Sequence, residues 1–278
     1  MLSLVKETDS YGDFEVFRKG GAKFFSFLIS AYNAEKFIRG CLESIIKQDN
    51  SDYELVILDD GSTDKTLNVI ISMISKFDNI VLIKQSNMGL TKSLNRGIKH
   101  ARGEWVVRCD ADDVNKFTRI SQLSSGIENG INFYTAYAEL INDEGSKSIV
   151  PRSLYFKKGK VELRSLVFGN PYVHGTLLAK RNVLCSYMYD DTLKYSQDYE
   201  LLVRLLRSGE TVKCLDGIHY EFHRRDESIG NRYSVQQADC ARQALVKNGI
   251  SPRFQLVSRK SRVVRFFIFI FREIFLKT

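Results

Sequence analysis

Proline, histidine and tryptophan are scarce in this chain, and several common sequence signatures are missing. Three prolines, four histidines and one tryptophan occur among 278 residues. With so little proline and no low-complexity tract, proline-rich linkers and extended recognition segments are excluded. No internal repeat is present, which argues against a solenoid or propeller. The five cysteines (Cys41, Cys109, Cys185, Cys214 and Cys240) are odd in number and include no CxxC pair. That argues against a disulfide framework or a zinc–thiolate site and fits reduced thiols. The sequence contains neither GxxxxGK(S/T) nor GxGxxG, the loops that P-loop and dinucleotide chemistry use to cradle phosphates. The opening stretch MLSLVKETDSYGDFEVFRKGG carries acidic side chains and no apolar h-region, so a signal peptide is not expected.

What is present describes an ordinary globular protein. The hydrophobic share is 44% and the charged share 27%, as in average domains. At this length a chain buries most of its surface without covalent staples. The formal net charge of +8 is compatible with nucleic acid, anionic lipid or a phosphorylated substrate. A nucleic-acid binder would carry a basic, aromatic stripe across its folded face. Here the Arg and Phe density lies in residues 258–278, and the polar clusters elsewhere are acidic.

Apolar runs and helical periodicities alternate along the first half. FFSFLIS (24–30), ELVILDD (54–60), IVLIKQ (80–85) and EWVVRCD (104–110) read as buried strands. Between them, 35–48, 64–76 and a segment marked by Leu90, Leu94, Ile98 and Ala101 read as helices, the last stopped by Gly103. This alternation implies βαβ units with right-handed crossovers. The fold class is therefore α/β, a Rossmann-like, mixed but mostly parallel sheet flanked by helices. The second half is less regular. It reads as a strand over 131–140, short helices over 161–168 and 181–187 around a strand at 174–179, a helix over 198–209, and short strands at 211–215 and 218–223.

In open parallel sheets ligands sit outside the carboxyl ends of the strands. Four polar clusters fall there: SAYN (30–33), DDGSTD (59–64), QSNMG (85–89) and DADD (110–113). In DADD, aspartates at i and i+2 in a turn converge on one hard cation, with diphosphate oxygens completing its shell. No His or Cys set competes, so Mg²⁺ or Mn²⁺ is the natural occupant. A solvated turn with capping aspartates is the plain alternative. In DDGSTD, Gly61 and Ser62 suit a tight turn and a helix cap, while Asp59 or Asp60 suits hydrogen bonds from a base or ribose. Tyr32 offers a flat face and Asn33 a polar contact, although a bare strand-to-helix turn explains that pair equally well. Asn87, Gly89 and Ser93 place small polar groups at a helix start, where phosphate oxygens are favoured. QDYE (197–200) opens a helix. Asp198 and Glu200 either complement its dipole, or Asp198 serves as general base toward an attacking hydroxyl. His174 and His223 are candidates for ligands, bases or satisfied core residues, with the core role the default for a lone histidine. In 258–278, Arg262, Arg265 and Arg272 share a helical face beside the apolar run 266–271, too short to span a bilayer. It suits a helix lying in an anionic membrane surface, or one docked on the protein's own core or a second copy.

The order SAYN…E, DDGSTD, NxG, DADD and QDYEL resembles family 2 glycosyltransferases of the GT-A fold, over about residues 24–230. "LNRGIKHARGEWVVRCDADD" and "HGTLLAKRNVL" followed by the DYEL helix are most similar to bacterial enzymes that build capsule, O-antigen or other surface polysaccharide. The resemblance implies a GT-A domain over 22–235, with 22–115 binding the nucleotide sugar and 116–235 the acceptor, then a helical tail over 236–278. It implies that Ala31, Tyr32, Asn33, Glu35 and Asp59 or Asp60 line the nucleotide pocket. Asn87, Gly89 and Ser93 would lie near the diphosphate or donor sugar. Asp110, beside Ala111, would contact ribose or metal-bound phosphate, Asp112 would bind the metal, and Asp198 would be the base of an inverting displacement. The implied cofactor is Mn²⁺ or Mg²⁺. The implied partners are a nucleotide-sugar donor, UDP-linked above others, and a saccharide or lipid-linked saccharide acceptor at the cytoplasmic face of the inner membrane, with no nucleic acid. Three positions depart from the family. Ala31 and Lys116 stand at or near usual prolines, and Gln197 replaces the acidic residue before the base. A nucleotidyltransferase is the second enzyme reading. It requires a basic, glycine-rich loop near the N-terminus, which SAYNAEKF matches poorly. An inactive scaffold is the third, supported by Gln197 alone.

Overall fold

The computed structural model describes residues 4–151, 156–157, 159–166, 170, 172–225 and 233–250. The basic, aromatic segment 258–278 lies outside them. The chain opens with a hairpin, β1 (Val5–Asp9) and β2 (Gly12–Lys19). Four strands follow, β3 (Phe25–Ala31), β4 (Tyr53–Asp60), β5 (Ile80–Gln85) and β6 (Trp105–Arg108). They are joined by α1 (Ile38–Ile46), α2 (Thr66–Met73) and α3 (Leu90–His100). β5, β4, β3 and β6 pair in parallel in that order, so the strand order reverses after β5 and β6 returns to the far side of β3. Then come β7 (Val114–Asn115), α4 (Arg119–Gly126), β8 (Phe133–Asn142), β9 (Lys147–Val150), β10 (Phe156–Lys157), β11 (Lys160–Val161) and α5 (Leu163–Leu166). β12 (Leu178–Lys180), α6 (Arg181–Tyr187), α7 (Gln197–Arg207), β13 (Val212–Arg224) and α8 (Ser234–Lys247) complete the described chain. The sheet order is β1-β2-β5-β4-β3-β6-β12-β8-β13-β11-β10. Antiparallel β12 and β2 make the sheet mixed on either side of the parallel centre.

Strand parity builds two cores. Phe27, Ile29, Leu55, Ile57, Leu82 and Val107 face one side, where α1 brings Ile38, Leu42 and Ile45. Leu28, Val56, Leu58, Val81, Ile83 and Val106 face the other, where α3 and α7 bring Leu94, Ile98, Leu201 and Leu205. Both faces are covered, so these strands read as continuous apolar runs rather than as alternation. The helix-over-sheet architecture expected for the first half is the one observed.

The second half differs in detail. Residues 174–179 are not one strand. His174–Thr176 forms a 3-10 turn before β12, because Thr176 Oγ1 bonds back to Val173 O at 2.7 Å, a local bond that competes with a ladder. The two strands expected at 211–215 and 218–223 are one strand, β13, with register shifts around Ile218. The hairpin over 5–19 has no counterpart in the sequence reading, and it extends the sheet through β2 and β5.

A close approach fixes one glycine. A Cβ on Gly103 would lie 2.7 Å from Phe25 C and 2.8 Å from Ser26 N, both backbone atoms. Its N–H also bonds Ser26 Oγ at 2.9 Å, beside the fully buried Glu54. Gly103→Ala is therefore expected to lower stability by about 1–3 kcal/mol, as overpacking does. Thermal melting checks this, and an unchanged midpoint would contradict the packing.

Candidate functional site

The carboxyl ends of β3 to β6 deliver the polar clusters to one edge of the sheet, and parity decides what each residue does. At the end of β4, Asp60 turns toward the α3 side. Its Oδ1 accepts from Gln85 Nε2 at 2.8 Å and Met88 N at 3.0 Å, and its Oδ2 from Gly89 N at 3.0 Å. Asp60 is thus fully occupied in holding the loop 86–89. Asp59 turns to the opposite side. It is 2% exposed, its Oδ1 carries no hydrogen bond, and burial raises its carboxyl above the ordinary value despite bonds from Ser62. Between the two, Asp59 is the one with an unpaired oxygen.

The loop after β3 is tied to the loop after β4. Asn33, in the left-handed region at φ 50°, accepts the Thr63 N–H on Oδ1 at 2.9 Å. Glu35 Oε2 accepts the Lys65 N–H at 2.9 Å. These two side chains tie the loops together, while Tyr32 is 51% exposed. Ala31 is buried at the strand end. Asn87 is exposed at the rim, and Gly89 takes φ 88° to start α3. Ser93 is fully buried, donating to Gly89 O at 3.0 Å and accepting from Gln85. A Cβ on Gly61 (φ 72°) would meet Asn87 N at 2.5 Å, so the two loops touch backbone to backbone.

DADD sits at the end of β6. Asp110 pairs with Arg108, which is 2% exposed, and its N–H donates to Tyr220 Oη at 2.8 Å. Ala111 is buried between its neighbours. Asp112 Oδ2 accepts Arg225 Nη1 at 2.8 Å, and that guanidinium stacks 3.9 Å over the Phe37 ring. Asp113 is buried and accepts the His223 N–H at 2.8 Å, which ties the loop to β13. Burial, then the Asp110 charge, raises the Asp112 carboxyl. Burial and both neighbouring aspartates push Asp113 well up.

Across the cleft, Asp198 lies in the first turn of α7 and is half-buried. Asn170 Nδ2 donates to its Oδ2 at 2.6 Å. Burial raises its carboxyl above the ordinary value, against the opposing pull of the Tyr199 N–H, Asn170 and the Arg108 charge. His174 Nε2 and Tyr189 Oη lie 2.8 Å apart, and burial, then Arg108, holds His174 well below the ordinary imidazole value. His174 is therefore a neutral imidazole satisfied by Tyr189, in keeping with the core role that is the default for a lone histidine. Arg108, Arg225, Asn170 and Tyr189 went unmarked in the sequence. Only Arg108 left a signal, as a charge inside the apolar run WVVRC.

Asp110 and Asp112 fit a hard divalent cation. They offer oxygen donors at i and i+2, and Asp110's charge raises Asp112, a repulsion that a cation relieves. Among the described residues no group of three His, Cys, Asp or Glu closes a cage, so further ligands must come from elsewhere. A separate cavity of about 690 Å³, lined by Phe24, Asp52, Arg102 and Lys180 among others, lies at the opposite, amino-terminal edge of the sheet.

Known proteins align with this architecture. A family model described as "Glycosyl transferase family 2" matches residues 26–183. An uncharacterized glycosyltransferase of Haemophilus influenzae is 27% identical, over 80% of this chain and 72% of its own length. EpsJ of Bacillus subtilis, also an uncharacterized glycosyltransferase, is 26% identical, over 73% of this chain and 62% of its own length. Among solved structures, S. aureus TarS 1-349 in complex with UDP-GlcNAc superposes with a TM-score of 0.65 at 23% identity, covering 80% of this chain and 66% of that one. The mannosyltransferase PcManGT of Pyrobaculum calidifontis, in complex with GDP-Man and Mn²⁺, gives 0.61 at 18% identity, covering 82% and 64%.

The split between Asp59 and Asp60 is directly testable. Asp60→Asn replaces one carboxylate oxygen with an NH2 group, so either the Met88 or the Gly89 N–H loses its acceptor and meets a donor, at an expected cost of about 1–3 kcal/mol of stability. Asp59→Asn removes a buried carboxylate with an unpaired oxygen and is expected to leave stability equal or higher. Parallel melting curves at neutral pH check the ranking, and the reverse order would refute it.

Proposed function

The chain belongs to glycosyl transferase family 2, and from that premise we propose that it moves one sugar, with inversion, from a UDP-linked donor to a saccharide or lipid-linked saccharide acceptor. The observation that carries this reading is the convergence of three kinds of carboxylate on one sheet edge. Asp59 has an unpaired oxygen, Asp110 and Asp112 are flanked by arginines, and Asp198 faces them with a raised carboxyl.

The donor's base lies beside Tyr32, with its imide N–H on Asp59 Oδ1. That contact suits the N3–H of uracil. The diphosphate lies along the 86–89 loop toward Asp110 and Asp112. When bound there, Mn²⁺ or Mg²⁺ supplies positive charge that offsets charge building on the leaving diphosphate. Asp198 takes the proton from the acceptor hydroxyl as its oxygen bonds the anomeric carbon. The bond from that carbon to the diphosphate oxygen breaks, and the nucleoside diphosphate departs with the electron pair. Burial of Asp198 brings its basicity closer to that task. Gln197, in place of an acidic neighbour, is 7% exposed and leaves Asp198 as the base.

The biological setting follows the same reading. A role in capsule, O-antigen or related surface-polysaccharide synthesis fits the kinship with putative and uncharacterized Eps glycosyltransferases. Among the described residues no helix is long and apolar enough to cross a membrane. A peripheral contact at the cytoplasmic face of the inner membrane, through 258–278, is supported by the Arg and Phe pattern of that segment.

Two measurements test this. Calorimetric titration with UDP, GDP, dTDP and CDP, with and without Mn²⁺, is expected to show metal-dependent binding of UDP that Asp112→Ala abolishes. Binding of none of them would sink the transferase reading. Asp198→Asn is expected to lower kcat by roughly 10²–10⁴ while nucleotide binding persists. Because Asp198 must be ionised and its carboxyl is raised, kcat/KM should fall as pH drops through a midpoint above the ordinary value of about 4. A flat profile down to that value would contradict Asp198 as base.

A further inference from the structure

The β1–β2 hairpin lies before the span matched by the family, 26–183, yet its turn reaches the site. Asp9 accepts Arg96 Nε on Oδ2 at 2.8 Å and Arg96 Nη2 on Oδ1 at 2.6 Å. Arg96 also donates to Gly12 O at 3.0 Å and stacks 4.3 Å over the Phe14 ring. Its Nη1 donates to Gln85 Oε1 at 2.8 Å. Gln85 Nε2 donates to Asp60 Oδ1 and Ser93 Oγ, each at 2.8 Å. Asp60 then holds the Met88 and Gly89 N–H groups. Arg96, Gln85 and Asp60 are all at least 95% buried, at 0%, 5% and 2% exposure.

We propose that the N-terminal hairpin is a positioning element of the donor site, in which Asp9, through Arg96 and Gln85, orients the Asp60 carboxylate that holds the 88–89 loop. The proposal rests on the donor-site reading above. Each link has one orientation. A guanidinium only donates, so Gln85 must present Oε1 to Arg96 and Nε2 to Asp60. The planar fork of Arg96 fixes both of its contacts at once. A buried arginine deprived of its carboxylate seeks another, and beyond Gln85 that carboxylate is Asp60. Without Asp9, Arg96 competes for Asp60 and draws it from the loop amides. A second arm runs the same way. Asn95 Nδ2 donates to Tyr11 Oη at 3.3 Å and to Tyr189 O at 2.9 Å, and Tyr189 N donates back to Asn95 Oδ1 at 2.8 Å. The hairpin turn thus touches both walls of the cleft through α3.

Amide hydrogen exchange on the full chain, without nucleotide, tests the link. Asp9→Ala is expected to speed exchange of the Met88 and Gly89 amides roughly tenfold, with the Leu28 and Ile57 amides unchanged. Asp9→Asn keeps the size and one acceptor, is expected to give a smaller increase, and carries the test if Asp9→Ala does not fold. Glu7→Ala breaks a surface ion pair with Arg18 on the same hairpin and should change nothing at 88–89. Unchanged exchange at 88–89 in both Asp9 variants would overturn the proposal, as would an equal increase in Glu7→Ala or in the core amides. UDP affinity should also weaken roughly tenfold in Asp9→Ala, and equal affinity would count against it. If wild type binds no nucleoside diphosphate, the transferase reading fails, and the exchange data alone decide whether the hairpin holds the loop.

Discussion

Carboxylates placed at the ends of buried strands lose hydration and repel one another, and most of the polar structure around the cleft answers that cost. Asp60 is stabilised by two backbone N–H groups and an amide. Asp110 and Asp112 each keep an arginine. Asp113 accepts a strand N–H, and Asp198 an asparagine. Asp59, at the end of β4, and Asp113, beside the Asp110–Asp112 pair, each keep a buried oxygen without a hydrogen bond. Such unequal compensation separates structural carboxylates from those left for a ligand.

Strand parity makes that separation possible. Adjacent residues of β4 point to opposite faces, so Asp59 and Asp60 meet different neighbours and take different roles. The same rule on β6 sends Cys109 toward α1, where its Sγ lies 3.5 Å from that of Cys41. It sends Arg108 and Asp110 toward the α7 side, where the Arg108 charge acts on Asp198 and His174. Gly175 fits there because Tyr220 packs against it, leaving no room for a Cβ, and Tyr220 in turn holds the Asp110 N–H.

Much of this was legible in the sequence. The four central strands are continuous apolar runs covered on both faces, and their helices repeat at helical spacing, so local pattern and tertiary context agree. The edge rule for parallel sheets then collected the polar clusters correctly at one end. The hairpin was not legible. Of β2 only Phe14 and Val16 are buried, Phe17 and the turn residue Tyr11 are partly so, and the rest of the hairpin is charged or exposed. Asp9 and Arg96 are 87 residues apart, a pairing no local pattern encodes. Neither Asp59 nor Asp60 could be singled out from adjacency, because the choice depends on what α3 and the 86–89 loop bring to one face. The 174–179 segment was misread because β-branched and apolar residues resemble a strand, while the decisive bond from Thr176 to Val173 is local.

In the proposed function the donor lies at the carboxyl edge of the sheet, between Asp59 and the Asp110–Asp112 pair. A crystal structure with UDP and Mn²⁺ tests it most directly. The uracil is expected against Tyr32 and Asp59, the diphosphate along 86–89, and the metal on Asp110 or Asp112. Nucleotide bound instead in the cavity lined by Phe24, Asp52, Arg102 and Lys180 at the amino-terminal edge would contradict it.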